Sequence, residues 1–558
     1  MSINPLRQPK RLFPTSFSVA AAIGAAFGVW FIGLKNFFPW NYQWLYSNGD
    51  GALTQLSFEF YRNSPLFQWP ITAVPQYISG SGMILPTENA VTNFIGKLIG
   101  LLVPGSFQFV GIWLVICFSL QGYFGAKLIG RFEATALYCI FGSVLFVTSP
   151  ALLYRTGVMN HYHLGAHWMI LLALYLYFDS RNRVRAWAVL LPFAMLTSIY
   201  IAAMLLGIFV AHQVKLYLGS QKLTVKDVSL PLISALGGFF VMGYLEMEST
   251  VTGSNFFRLN LISFLNPGFS DTGSFSLLLD TFGADTIRRV FSEEWEGFQY
   301  LGTIAIIGVL VGVWRTPRSP RRFAWRQFAP ILIVAIGMFL FALSNRVVFL
   351  QNEYRYWWPS QLSDLRQIFR GTTRFAWPAY YLLMLFSVVQ LSRLIKTSKQ
   401  QMLLLVVLFL MLIESSTGIW FARQEMADPV TREDLMLDSA WEKFAEGRKH
   451  VIIYPNIDLQ VGELLGEAKY WQTRWLDVAL YASKNEMSTN FGYAPRPLTS
   501  FIKEQDAQVL SDLESGNLRS HTLYFISDKE KWSKWSLLNP RKTLTFELDG
   551  FHVIALSD

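Results

Sequence analysis

Asp50 is an acid set between Gly49 and Gly51. Glycines on both sides let the backbone bend sharply and the carboxylate project. The segment follows closely on the first apolar run of the chain. An acid just outside a bilayer, on a tight turn, is placed to act as a base on a substrate arriving from water or from lipid. The competing reading is a plain Asn-Gly-Asp-Gly turn. Arg366, Arg370 and Arg374 stand four apart, which on a helix puts them on one face. A row of guanidinium groups beside a bilayer suits the phosphate or diphosphate of a lipid. It equally suits ordinary headgroups or neighbouring carboxylates. His161, His163 and His167 offer imidazoles, the last two at helical i, i+4 spacing. No HExxH accompanies them, so hydrogen bonding is the better reading than metal ligation. Tyr354, Tyr356, Trp357 and Trp358 can stack on a sugar ring or form an interfacial aromatic belt. No P-loop, no GxGxxG after a strand and no GxSxG occurs, which argues against soluble nucleotide chemistry.

The elements that must position these residues are mostly membrane helices. The chain has 558 residues, 52% hydrophobic and only 15% charged, with a net charge of +9. Low charge and long apolar runs mark a polytopic membrane protein. The basic residues cluster in short loops, the pattern of cytoplasmic loops facing anionic lipid rather than of nucleic-acid binding. Cys117 and Cys139 lie within apolar segments and read as packing residues, with no disulfide framework. Arg7, Lys10 and Arg11 set the N-terminus in the cytoplasm, ahead of an uncleaved anchor at about 16–35. A long outer loop, 36–104, follows. Within it a short interfacial helix is expected from Thr54 to Arg62, anchored by Phe58, Phe60 and Tyr61. Further spans are expected at about 106–128, 133–149, 164–178, 229–246, 299–314, 328–344, 377–393 and 402–420. A pair of short helices within 186–218 turns near Thr197-Ser198. The total is about eleven spans, with every basic cluster inside.

The tail differs in composition. From 422 to 558 it is polar, with apolar runs too short to span. Val451–Tyr454, Leu523–Ile526 and Phe551–Ala555 read as strands, and Trp471–Lys484 as a helix. The expected architecture is therefore a transmembrane domain, 1–421, and an extracytoplasmic α/β domain, 422–558. Few ionisable residues fall in mid-span; Glu414 and His212 lie near span ends. Ion-coupled transporters place charge at mid-depth, whereas this chain gathers it in the outer loops.

A cytoplasmic-start helix, an early acid in a long outer loop, many helices and an outer α/β tail together resemble the GT-C superfamily of integral-membrane glycosyltransferases. Local motifs resemble a bacterial GT-C-like family: Gly49-Asp50 with Phe60 to Pro65 and Trp69-Pro70, His161 to Trp168, Asn260 to Pro267, Glu296 to Gly302, and Arg370 with Arg374 to Pro378. The resemblance implies transfer of a sugar from a polyprenyl-phosphate donor to a glycan, lipid-linked saccharide or protein acceptor. It places this at the outer face of a bacterial cytoplasmic membrane, among membrane lipids and without nucleic acid. It implies Asp50 as the base on the acceptor hydroxyl. Glu59 or Glu296 would be a second acid, and the resemblance does not choose between them. Arg370 and Arg374, with Arg366 or Arg258, would hold the leaving phosphate. His161, His163, His167, Tyr354 and Trp357 would line the acceptor or sugar. No cofactor is assigned. A divalent metal is the one candidate, and the absence of an acid beside Asp50 weighs against a metal-bound mechanism. A lipid or saccharide flippase and a non-enzymatic envelope assembly protein are the alternatives.

Overall fold

The computed structural model describes residues 14–47, 49–85, 89–132, 135–245, 259–268, 273–278, 295–315, 325–350, 352–359, 368–394, 398–429, 434–456, 467–494, 498–538 and 542–557. Arg258 and Arg366 lie outside them. By contacts the chain forms two compact units. One comprises Met1–Asn41, Phe109–Gly238 and Thr252–Pro429; the other comprises Tyr42–Gln108, Phe239–Val251 and Val430–Asp558. Grouping by contact places residues 42–108 with 430–558, whereas the linear division by composition falls at residue 421.

The first unit is helical. A helix stands at each position where the sequence predicts a span, but the helices differ in length. Among the described residues, five are long and apolar enough to cross a membrane: Thr15–Ile32, Val110–Ile129, Ile199–Leu218, Trp325–Leu343 and Thr372–Ser392. Two bent pairs, Ala136–Val147 with Pro150–Val158 and Val406–Glu414 with Ser416–Ala427, raise the number to seven if each is one span. Val184–Thr197 and Thr303–Arg315 are shorter apolar helices, and Trp168–Tyr177 has ten residues. Among the described residues, helix length and composition thus support five to seven of the roughly eleven expected spans. Within 184–218 the chain does divide in two. Ser198, at φ −164° and ψ 125°, is extended and separates Val184–Thr197 from Ile199–Leu218. Close packing in this unit depends on small residues. A Cβ on Gly24 would meet the Phe118 carbonyl oxygen at 2.2 Å, so the first helix lies directly on the backbone of Val110–Ile129.

The second unit is built on a five-stranded sheet in the order β4-β3-β5-β7-β6, with β3 His450–Tyr454, β4 Ser488–Thr489, β5 Thr522–Ile526, β6 Thr543–Leu548 and β7 Phe551–Leu556. β3 is parallel to β4 and β5, and the β5-β7-β6 side is antiparallel. The parallel part needs crossover helices, which are Glu467–Lys484 and Thr499–Ser515. On one face Ile452, Tyr524, Ile526 and Ile554 pack with Val509, Leu513 and Trp535. On the other, Trp441 stacks on Phe525 at a centroid distance of 5.8 Å. β1 Arg346–Phe349 and β2 Asn352–Arg355 form a separate hairpin in the first unit.

The first long loop contributes the helix Gly49–Asn63. It is longer than the expected Thr54–Arg62 element. Phe58, Phe60 and Tyr61 are buried rather than acting as interfacial anchors. Phe58 packs on Phe107 and Phe60 on Tyr77, with centroids 5.5 and 5.3 Å apart. An amphipathic helix whose apolar face meets protein has no reason to meet lipid.

Candidate active site

In the first unit, four short segments that are not α-helical converge on Glu296. The helix begun at Pro150 widens into a π-turn at Tyr154–Val158, which carries Arg155. Tyr162–Gly165, Trp295–Gly297 and Thr372–Ala376 are 3-10 turns. Such turns aim side chains in directions a continuous α-helix does not reach, and they recur at functional sites. Arg155 donates from both terminal nitrogens, one to the Glu296 carboxylate and one to the Glu296 main-chain carbonyl. Arg374 donates to the other carboxylate oxygen at 2.9 Å. Thr373 Oγ1 donates to the same main-chain carbonyl at 2.9 Å. His161 Nδ1 lies 4.0 Å from Oε1.

Burial alone would raise the Glu296 pKa. The guanidinium groups of Arg155 and Arg374, with His161, instead hold the carboxyl well below the usual range. Glu296 is therefore an ionised, doubly bridged carboxylate, a poor proton acceptor and a firm anchor. Two guanidinium groups against one carboxylate leave an excess positive charge. Loss of solvent, together with His161 and Arg374, pushes His163 well below its ordinary value, so its imidazole is neutral at physiological pH. The Arg155 side chain is 0% exposed and the Arg374 side chain 11%. Arg374 is thus the member of the pair that solvent or a ligand reaches. Its guanidinium lies 4.4 Å from the Tyr200 ring centroid, and Tyr200 Oη accepts from the Gly371 amide at 3.0 Å. The arrangement is rigid and cationic, suited to an anion.

The expected common helical face does not form for Arg370 and Arg374, and Arg366 lies outside the described residues. Gly371 has ψ 60°, which ends any helix from Arg370, and Arg374 sits in the next 3-10 turn. Pro378 in the first turn then starts the helix Trp377–Ser392. Arg370 is half-buried ahead of that turn. His163 and His167 likewise share no helix, since Trp168 opens the next one. His167 is buried, bonded through Nδ1 to Tyr381 Oη at 2.7 Å and packed on Trp377 at 4.1 Å, which makes it a packing and hydrogen-bonding residue. Tyr354, on β2, is 57% exposed and Trp357 82%. Both present aromatic surface outward. Glu414, at the bend after Ser398–Glu414, accepts from the hydroxyls of Ser276 and Thr303, the latter at 2.7 Å.

In the second unit Asp50 is not on a free turn. It lies in the first turn of Gly49–Asn63, half-buried, and Thr54 Oγ1 donates to its carbonyl at 2.9 Å. Glu59 lies nine residues on, about 180° round the helix and ~13 Å along it, so it does not pair with Asp50. Glu59 is buried and accepts from Gln55 at 2.8 Å and Arg62 at 3.4 Å. Burial raises its pKa against the pull of Arg62. Among the described residues, no group of three or more His, Cys, Asp or Glu side chains is arranged to hold a metal ion. Sequence reasoning missed Arg155, Thr373 and Tyr200 as site residues. The available signal was Arg155 itself, a lone arginine closing an apolar run.

A family model described as a domain of unknown function (DUF6311) matches residues 21–415, and one described as the DUF6311 C-terminal domain matches residues 440–556. No curated protein matches the chain. Two similar solved structures are oligosaccharyltransferases of Archaeoglobus fulgidus. One is tethered by a disulfide to an acceptor peptide containing the NVT sequon; at 12% identity and a TM-score of 0.40, it covers 87% of this chain, which spans 64% of its length. The other, AglB in complex with an inhibitory peptide and a dolichol-phosphate, has 12% identity and a TM-score of 0.40, with 98% of this chain and 74% of that one covered.

Proposed function

We propose, for a chain that belongs to the DUF6311 family, a GT-C-type glycosyltransferase that takes a sugar from a polyprenyl-phosphate donor at the outer membrane face. The acceptor is a glycan, a lipid-linked saccharide or a protein. The observation that supports this reading is the cationic knot on Glu296. Arg374 is oriented by Glu296 and Tyr200, and Arg155 is locked behind it. A preorganised guanidinium stabilises charge that develops on a leaving phosphate without reorganising during the reaction.

In the proposed step the acceptor hydroxyl gives its proton to Asp50, and its oxygen bonds to the anomeric carbon. The bond from that carbon to the phosphate oxygen breaks, and the polyprenyl phosphate leaves with the electron pair. Arg370 and Arg374 hold the phosphate. Arg366 and Arg258 join them by resemblance. Glu296 orients Arg374 rather than moving a proton. His161 and His163, beside Arg374, and the outward rings of Tyr354 and Trp357 are assigned to the sugar or acceptor. A divalent metal is not required by these roles.

Purified protein in nanodiscs, given polyprenyl-phosphate sugars and a lipid and glycan extract, should yield a product heavier by one sugar residue. Arg370→Ala should raise the donor KM about tenfold or more while leaving the acceptor KM within a factor of about two. Equal loss of both would contradict the phosphate assignment.

A further inference from the structure

The second unit holds a contact between the loop that carries Asp50 and the sheet of the C-terminal domain. β4 is the edge strand and only two residues long. Its outer side is not left open. The Ser79 amide donates to the Thr489 carbonyl at 2.6 Å, and the Thr489 amide donates to the Gln76 carbonyl at 2.9 Å. The Ile78 amide adds a bond to Thr489 Oγ1 at 3.3 Å. Gln505 of the crossover helix donates to the Ser79 carbonyl at 3.0 Å. Residues 76–79 thus complete a sheet edge that would otherwise expose main-chain groups.

Tyr77 fixes this pairing. It is fully buried. Its hydroxyl donates to the Tyr493 carbonyl at 3.1 Å and accepts from the Tyr493 amide at 2.8 Å. Its ring lies on Gly492 so closely that a Cβ there would meet it at 2.5 Å. The ring also packs on Phe60, on the helix Gly49–Asn63. At the end of that helix, Asn63 donates to the Ser483 carbonyl of Glu467–Lys484 at 3.2 Å. A continuous run of contacts therefore leads from Gly492 and Tyr493, through Tyr77 and Phe60, to the helix whose first turn holds Asp50.

We infer that the C-terminal α/β domain serves the reaction by positioning the Asp50 helix, with Tyr77 as the positioning residue and the β4 edge as its seat. The inference rests on the reading of Asp50 as the base. It assigns the domain a role in turnover rather than in donor capture.

The test uses the full-length protein in nanodiscs, with two variants and two readouts. Gly492→Val drives a side chain into the Tyr77 ring. Tyr77→Phe keeps the ring and removes only the two hydroxyl hydrogen bonds. In Gly492→Val, hydrogen exchange at the amides of Ser79 and Thr489 should rise about tenfold or more. The kcat should fall about tenfold or more, with the donor KM within a factor of about two. Tyr77→Phe should show the same split at a smaller size, roughly three- to tenfold in kcat. Faster exchange with unchanged kcat overturns the inference while leaving the transferase reading intact. Unchanged exchange in both variants overturns it as well, because the edge pairing then does not hold the loop. A wild-type protein that transfers no sugar removes the transferase reading, and the positioning role falls with it.

Discussion

At the scale of single residues, Glu296 is the clearest case of a side chain whose surroundings decide its role. An acid near other acids in sequence invites assignment as a proton acceptor. Bridged by Arg155 and Arg374, it is instead an ionised anchor. Its depressed pKa means that the native state keeps the carboxylate charged where the unfolded chain would bind a proton. That stability is present above about pH 4.5 and is lost only as pH falls toward the lower native value. Glu296→Gln leaves the fully buried Arg155 without its charge partner and should cost about 3–5 kcal/mol, read as a fall in the thermal midpoint in detergent. A variant that kept wild-type stability yet lost all turnover would return Glu296 to the role of a base.

Asp506 shows the opposite sign. Burial raises its pKa to about 6 although it accepts from the Asn456 amide. The folded state then binds a proton that the unfolded chain releases, so stability falls as pH rises from about 4 through 6. Asp506→Asn should therefore raise the stability of the second unit at pH 7.5 by about 1 kcal/mol after allowance for solvent screening, with little gain near pH 4. An equal gain at both pH values would contradict the burial argument.

At the scale of elements, close helix packing makes a contrast that thermal unfolding can read. Gly24→Ala places a methyl group against the Phe118 carbonyl and should destabilise by about 1–3 kcal/mol. Gly237, in Val225–Val241, has nothing near its Cβ position, so Gly237→Ala should be neutral or stabilising by up to about 1 kcal/mol. Much of the element pattern was legible in the sequence. Val451–Tyr454 and Leu523–Ile526 are continuous apolar runs, Phe551–Ala555 is interrupted only by His552, all three are rich in β-branched or aromatic residues, and strands form there. The break near Ser198 was legible because one helix across 186–218 would be too long. β4 was not legible, since two residues carry no periodicity and its stability comes from neighbours distant in sequence. The arginine row failed for a local reason, the break at Gly371. The Glu296 knot was hidden because Arg155 lies 141 residues away in the chain, and no short-range pattern records such a pairing.

At the scale of the whole molecule, contacts and chain order group the first long loop differently. Residues 42–108 were expected to belong to the membrane domain, yet their contacts group them with 430–558. The proposed base sits on one compact unit and the proposed phosphate site on the other, each held by its own network. The proposed reaction forms a glycosidic bond with Asp50 as base. The most direct measurement is mass spectrometry of the products made in nanodiscs from polyprenyl-phosphate sugars by the wild type and by Asp50→Asn, compared at equal folded protein. The wild type should give a sugar-mass adduct and Asp50→Asn none. Near-normal product from the variant would contradict Asp50 as the base, and no adduct from the wild type across a broad donor and acceptor panel would contradict the transferase itself.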